Sequence, residues 1–181
     1  MTADDMSVVD LDGNQVEGDL LPSVDLDIHL ALYRQFQEIG GIAHTHSTYA
    51  TSFAQAYNPI PVLGTTHADH FFGEIPCLPC LTREEVEDRY EYHEGLQIAQ
   101  YFTEHHISPA SMCAVLCGGH GPFTWGKTVE DAVMHSVILE ELARMALITM
   151  ELDRDARLPE YMLNKHYLRK YGKNAYFYQR K

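Results

Sequence analysis

Gly41-Ile42-Ala43-His44-Thr45-His46-Ser47 is a short run that ends in His-x-His. On a β-strand successive side chains face opposite ways, so His44 and His46 share one face and Thr45 takes the other. Two imidazoles so placed can reach one ion. A zinc site that keeps a position open for chemistry takes about three protein ligands, with Zn–N bonds near ~2.0–2.1 Å. Two surface histidines at a strand end give the same sequence pattern, so the residues downstream decide between the two.

A third ligand has to come from elsewhere. His120 is the first candidate, because the apolar strand Met112–Cys117 runs into Gly118-Gly119-His120-Gly121-Pro122-Phe123, a glycine-framed tight loop. His67 and His70, in the glycine-bounded loop Gly64–Gly73, are the runners-up. Asp25 opens a helix shortly before the His-x-His strand and offers a carboxylate as a fourth or outer ligand. Sulfur offers a different site. Cys77-Leu78-Pro79-Cys80 is a C-x-x-C, and Cys113 with Cys117 a C-x₃-C. A structural zinc site needs tight turns at both knuckles. Cys113–Cys117 reads as strand, which favours buried apolar thiols instead.

Around these stretches the pattern is mixed α and β. Residues 6–18 read as a hairpin turning at Asp12-Gly13, which would open the chain inside a sheet and make part of that sheet antiparallel. A helix is predicted from Asp25 to Gln37, with His29, Leu32, Tyr33 and Phe36 as its core stripe. On that stripe His29 reads as a satisfied core histidine. A second helix, capped by Ser47 or Thr48, reaches Ala56. Thr82-Arg83-Glu84-Glu85 is a capping box that starts a helix to about His105, with a break predicted near Gly95. Thr128 with Asp131 opens the longest helix, to about Met150, with Val129, Ala132, Val133, Ser136 and Val137 as its expected inner face. A last helix runs from Pro159 to Tyr171 and stops at Gly172. No repeat or low-complexity segment interrupts 181 residues, a length suited to one domain over 1–181.

Composition narrows the class. An apolar fraction of 45% and a charged fraction of 22% are those of a globular protein. A net charge of −13 argues against general nucleic-acid binding, which needs a basic footprint. No apolar run approaches a membrane span, and the acidic start Met1-Thr2-Ala3-Asp4-Asp5 is unlike a signal peptide, which together point to a cytoplasmic protein away from membranes. Charge is uneven: residues 1–60 hold nine acids and one base, whereas residues 161–181 hold six bases and no acid. The basic end reads as a solvated helix terminus. Its sharper reading is a tail that meets an acidic neighbouring subunit or a phosphate.

Four phrases carry a family resemblance: Gly41–Ser47, Gly64-Thr65-Thr66-His67-Ala68-Asp69, His120-Gly121-Pro122-Phe123-Thr124-Trp125-Gly126-Lys127 and Asn164-Lys165-His166-Tyr167-Leu168-Arg169-Lys170. They resemble the L-ribulose-5-phosphate 4-epimerases of the class II aldolase superfamily, over essentially the whole chain. The last two phrases separate the epimerases from the related aldolases. The resemblance implies a three-layer α/β/α domain with a mostly antiparallel central sheet, in a homotetramer with active sites between subunits. It implies one Zn²⁺ per subunit on His44, His46 and His120, with Asp25 as the neighbouring acid ligand. It implies Asp69 as catalytic acid/base, Glu91 and His166 supplied by the adjacent subunit, and Ser23, Val24, Asp25 and Thr65 around a small sugar-phosphate substrate. The implied activity is inversion at C4 of L-ribulose 5-phosphate, in pentose (arabinose) catabolism, by cleaving and remaking the C3–C4 bond with zinc as Lewis acid.

The chain also departs from the family pattern. Met1–Met6 resembles an internal part of it, so the chain is expected to lack roughly fifty leading residues, including N-terminal strands and a phosphate-pocket asparagine and lysine. Ser23-Val24-Asp25 stands where the family has Ser-Ser-Asp, which removes one phosphate hydroxyl. Phe177 stands at the position of the family's second acid/base, a tyrosine, leaving Tyr178 or Tyr176 for that role. Gly118 replaces a further histidine. Two other readings follow from these departures: a sugar-phosphate aldolase that releases its fragments, and a truncated zinc-binding subunit without turnover.

Overall fold

A computed structural model describes residue 2 and residues 5–176 of the chain. Its architecture is organised by β6, Gly121–Gly126, which is buried along its whole length. β6 pairs antiparallel with β3, Gly41–His44, on one side and with β5, Ala114–Cys117, on the other. β4, Cys77–Leu78, adds parallel to β5, giving the order β3-β6-β5-β4. The central sheet is therefore mostly antiparallel. The glycine-rich stretch read as a loop is half strand: the turn is confined to Gly118–His120, and Gly121 onward re-enters the sheet.

Alternation along β6 sets the layers. Phe123 and Trp125 face one way, toward α1, Leu26–Gln35, and α4, Arg83–Glu104. Trp125 packs on Phe36 and Phe102 with ring centroids 5.3 and 5.1 Å apart, and its indole N–H donates to Pro109 O at 2.8 Å. Thr124 faces the other way and donates to Ala132 O of α5, Val129–Leu152, at 3.0 Å. Helices on both faces of one sheet make the three-layer α/β/α arrangement, with α2, Thr48–Gln55, packed beside α5.

The α1 stripe forms as the spacing predicts, with Leu32 and Phe36 buried and Ile28 added to it. The opening hairpin, β1 Val8–Val9 with β2 Gln15–Glu17, forms too. Among the described residues it is a separate two-stranded sheet and not part of the central one. Asp10 accepts the backbone N–H groups of Asp12 and Asn14, which holds the turn, and the Arg34 guanidinium ties Leu11 O to α1.

Two helical expectations shift. α4 is not broken at Gly95. The non-helical residue is Arg89, with φ −144° and ψ 80°, and Gly95 lies inside the helix against α1. A Cβ at Gly95 would meet Ala31 Cβ at 2.8 Å and Ile28 Cα at 2.9 Å. Overpacking of that kind costs ~1–3 kcal/mol, more than the roughly 1 kcal/mol alanine gains in helix propensity. Gly95→Ala is thus expected to lower the melting temperature by a few degrees, at ~2–4 °C per kcal/mol for a chain of this size. A melting temperature at or above the parent's would show that α1 and α4 have room to separate.

The inner face of α5 is also rotated from the expected one. Ala132, Leu139, Leu142, Ala143 and Ala146 are buried, while Val129, Val133 and Val137 are exposed. Apolar residues lie nearly all round this helix, so spacing alone does not choose the buried side. Its neighbour α2 is not capped by Ser47 or Thr48 side chains. Glu140 of α5 accepts the Tyr49 and Ala50 N–H groups at 2.9 Å each, placing a carboxylate at the positive end of that helix.

Candidate metal centre

The end of the sheet near Gly121 gathers three imidazoles. His44 closes β3, His46 follows two residues on, and His120 fills the β5–β6 turn. One ring nitrogen from each lies within 4.8 Å of the others, the one such group of metal-ligating side chains among the described residues. Ring centroids are 4.6 to 5.0 Å apart. His44 stacks on Phe123 at 4.2 Å, which fixes its plane.

Hydrogen bonds set the tautomers. His44 Nδ1 lies 3.0 Å from Pro122 O, and a carbonyl only accepts, so Nδ1–H donates and Nε2 keeps its lone pair. His120 Nδ1 lies 2.9 and 3.1 Å from the two Glu94 oxygens. His44 Nε2 and His46 Nε2 stand 3.0 Å apart, where two lone pairs repel unless a proton or a cation sits between them. Burial, and then the neighbouring His120, lower the His44 pKa and favour its neutral, ligand-ready form. The hydrogen bond that His120 donates to Glu94 raises the His120 pKa against its burial.

These residues fit a divalent ion. Tetrahedral nitrogens on ~2.0–2.1 Å bonds stand roughly 3.3 Å apart, between the 3.0 Å that separates His44 Nε2 from His46 Nε2 and the 4.8 Å that bounds the group. Neutral imidazole suits zinc and other first-row divalent ions.

Beside His44 is a cavity of about 620 Å³ whose lining includes Ser23, Asp25, His29 and Tyr33, walled on one side by Ser7, Val9 and Leu11 of the hairpin region. Asp25 is close enough for its charge to raise the pKa values of both His44 and His120. Val24 is exposed and is not among the lining residues. His29, expected as a core histidine, is partly buried with its ring edge toward Phe123. Glu91 of α4 also acts on His120 of its own chain by its charge.

A second cluster forms elsewhere. Asp69 ends α3, Thr65–Ala68, and meets α6, Glu160–Tyr171. Its carboxylate accepts from His166 Nδ1 at 3.1 Å and from Arg169 Nη2 at 2.9 and 3.0 Å, with Lys170 Nζ at 3.7 Å. Burial works to raise the Asp69 pKa. Hydrogen bonds from Arg169 and His166, with the Lys170 charge, outweigh burial and hold it below 3.8. A depressed carboxylate adds stability that is present above its unfolded pKa and lost as pH falls through the folded value. Asp69→Asn should therefore flatten the acid limb of a melting-temperature profile below about pH 4, where an unperturbed Asp titrates. An unchanged acid limb would mean that the cluster carries no linkage.

The two clusters lie at opposite ends of the sheet. His70, next to Asp69, lines a cavity with Gly126, Lys127, His135 and Tyr167, and Phe72 N–H donates to Ser111 O before β5 begins. The imidazoles are at the Gly121 end. Strand rise puts the ends of β6 roughly 17 Å apart.

His67 is buried with Nε2 on Gly73 O at 2.8 Å, and burial lowers its pKa to about 4. It and His70 stand apart from the metal group. Thr65 starts α3, away from the cavity that holds Ser23 and Asp25. Tyr176 is exposed, and Phe177 and Tyr178 lie outside the described residues.

All four cysteines are free. Cys113 and Cys117 are buried, and burial pushes Cys113 up to about 12 and Cys77 up to about 11. Cys80 is exposed. A native-state thiol titration should thus show fast labelling at Cys80 alone, with the rest reacting on unfolding. Rapid modification of Cys113 or Cys117 would contradict this packing. The residue missed from sequence is Glu94, one helical turn past Tyr90. Its signal was faint: a glutamate in the buried stretch of a helix otherwise rich in exposed acids.

Residues 1–147 match the family model described as Class II Aldolase and Adducin N-terminal domain. The chain belongs to that family.

Within it, the chain is 48% identical to L-ribulose-5-phosphate 4-epimerase UlaF of Salmonella paratyphi A (strain ATCC 9150 / SARB42), over 99% of this chain and 78% of the relative. Identity and coverage are the same for the protein of that name from Salmonella typhi. Among solved structures, an L-fuculose 1-phosphate aldolase superposes with a TM-score of 0.77 at 23% identity, covering 92% of this chain and 72% of that one, a likeness of fold. YgbL from Klebsiella pneumoniae, titled a putative aldolase/epimerase/decarboxylase, gives 0.69 at 26% identity, covering 91% and 74%. Among the described residues no helix is long and apolar enough to cross a membrane.

Proposed function

We propose that this class II aldolase-family chain is a zinc-dependent epimerase that converts L-ribulose 5-phosphate to D-xylulose 5-phosphate. The observation that carries the reading is the convergence of His44, His46 and His120. The names of relatives at 48% identity support the substrate. One Zn²⁺ per subunit would be held by the three imidazoles, with Asp25 as neighbouring acid ligand, and when bound it supplies Lewis acidity at the substrate's oxygens.

The C4 hydrogen of the substrate is not acidic, so simple deprotonation does not invert that carbon. Removing the C4 hydroxyl proton lets C3–C4 break, with the electron pair staying on the three-carbon fragment. The other fragment, glycolaldehyde phosphate, turns its carbonyl, the bond re-forms on the opposite face and the new hydroxyl regains a proton. Asp69, held as the ionised acceptor by Arg169 and His166, is the proposed group that takes and returns that proton. Tyr178 is the proposed second acid/base. Ser23 and the backbone around Val24 would serve the phosphate end, with Thr65 reaching the substrate from the acid/base half beside Asp69.

One chain does not bring Asp69 to its own imidazoles, since they lie at opposite ends of β6. The proposed enzyme is therefore a homo-oligomer, a tetramer by family resemblance, in which one copy's Asp69 and His166 face another copy's metal. Glu91, on the His120 side, belongs to the metal half of such a site. A small sugar-phosphate substrate suits a cytoplasmic setting.

The test is to supply metal-replete chain with L-ribulose 5-phosphate and follow D-xylulose 5-phosphate, with and without chelator. Chelator-sensitive product is expected. No product from metal-replete chain would overturn the reading. Phe177, at the position of the family's tyrosine, gives a second reading its footing: an aldolase that releases its fragments. Accumulating glycolaldehyde phosphate without epimer would select that one.

A further inference from the structure

Glu94 is 3% exposed, and among the described residues its only ion-pair partner is His120. An isolated ionised carboxylate is costly to bury, so this one needs a strong donor. An ionised carboxylate only accepts, so His120 Nδ1 carries the proton and Nε2 keeps its lone pair. The Tyr90 hydroxyl donates to Glu94 Oε1 at 3.3 Å and restrains the carboxylate from its other side. The bend at Arg89 starts the helical turn that carries Tyr90 and Glu94, and Tyr90's ring stands 5.9 Å from that of His120.

We propose that Glu94 is a positioning residue of the metal centre: its carboxylate holds His120 by Nδ1–H and aims Nε2 at the ion shared with His44 and His46. The proposal rests on the metal reading of the preceding subsection. Glu94 is buried behind His120 and bonded to its Nδ1, so it acts through His120. The ligands are held unequally. His44 has a neutral outer acceptor, the Pro122 carbonyl, whereas His120 has an anionic one. An anionic outer partner makes the imidazole a stronger base toward a cation and fixes its ring. Loss of such partners typically costs ~10–100-fold in metal affinity.

The variant is Glu94→Gln, which keeps the shape and removes the charge. Zn²⁺ affinity is read by chelator competition on the full chain, and the ligand field by the visible bands of the Co²⁺-loaded protein. The expected result is a folded variant with Zn²⁺ affinity reduced about tenfold or more and shifted Co²⁺ bands. Wild-type affinity and an unchanged Co²⁺ spectrum in the folded variant would overturn the proposal, since a merely structural glutamate moves neither. If Glu94→Gln does not fold, ¹⁵N spectra of the histidine rings in the unsubstituted chain decide. His120 protonated at Nδ1 and bare at Nε2 supports the assignment, and the opposite tautomer overturns it. The two readings fail separately. A parent chain without Zn²⁺ affinity overturns both, whereas parent-like affinity in Glu94→Gln beside lost affinity in His44→Ala/His46→Ala overturns this one alone.

Discussion

His44→Ala/His46→Ala is expected to fall from about one bound divalent ion per chain to background, and to lose epimerisation with it. The double substitution leaves His120 as the only imidazole of the group, and a single nitrogen does not hold an ion against water. Asp25, the proposed neighbouring acid ligand, would with His120 make only two ligands where an open site takes about three. The fold should survive. His46 is exposed and His44 half-buried, and the gap left over Phe123 opens at the sheet's end, not in the Trp125 core. Metal analysis of the purified variant, beside its circular dichroism, checks this. Parent-like metal content in the folded variant would remove these histidines from the site.

The Asp69→Asn chain is expected to keep its metal and to lose turnover by ~10²–10⁴-fold, the range typical of a general acid–base group. Asparagine has the shape of aspartate without its basicity. Metal content should not change, because Asp69 and the imidazoles lie at opposite ends of the sheet within a chain. The substitution also leaves Arg169, Lys170 and His166 facing an uncharged amide, so some stability goes too, and turnover has to be normalised to folded protein. Unchanged turnover would take Asp69 out of the mechanism. The shared-site geometry adds a sharper test. Asp69→Asn and His44→Ala/His46→Ala chains, each inactive alone, should regain measurable activity when co-assembled, because some sites then pair an intact metal half with an intact acid/base half. No recovery in verified mixed assemblies would place both halves in one chain.

What sequence determined was local. His-x-His keeps two imidazoles within three residues of each other; the strand itself ends at His44, and His46 lies just beyond it with its ring 4.9 Å from that of His44. The capping box at Thr82 and Glu85 closes as written, since its atoms are three residues apart. Most of the α1 stripe was legible because Leu32 and Phe36 recur at helical spacing, though Leu30 and Ala31, off that stripe, are buried as well. Tertiary structure decided everything that depends on what arrives from far along the chain. The buried side of α5 was set by packing on β3 and β6, since the helix offers apolar side chains nearly all round. The cap of α2 came from Glu140, about ninety residues downstream, and no local window contains it. The hairpin stands apart from the central sheet, a placement that no local pattern in its own residues contains. Glu94 became the partner of His120 through a bend at Arg89 that no propensity marks. Closeness in sequence put two ligands together within three residues. Only the return of β6 alongside β3 brought the third, and that same strand's length set Asp69 at the far end from the metal.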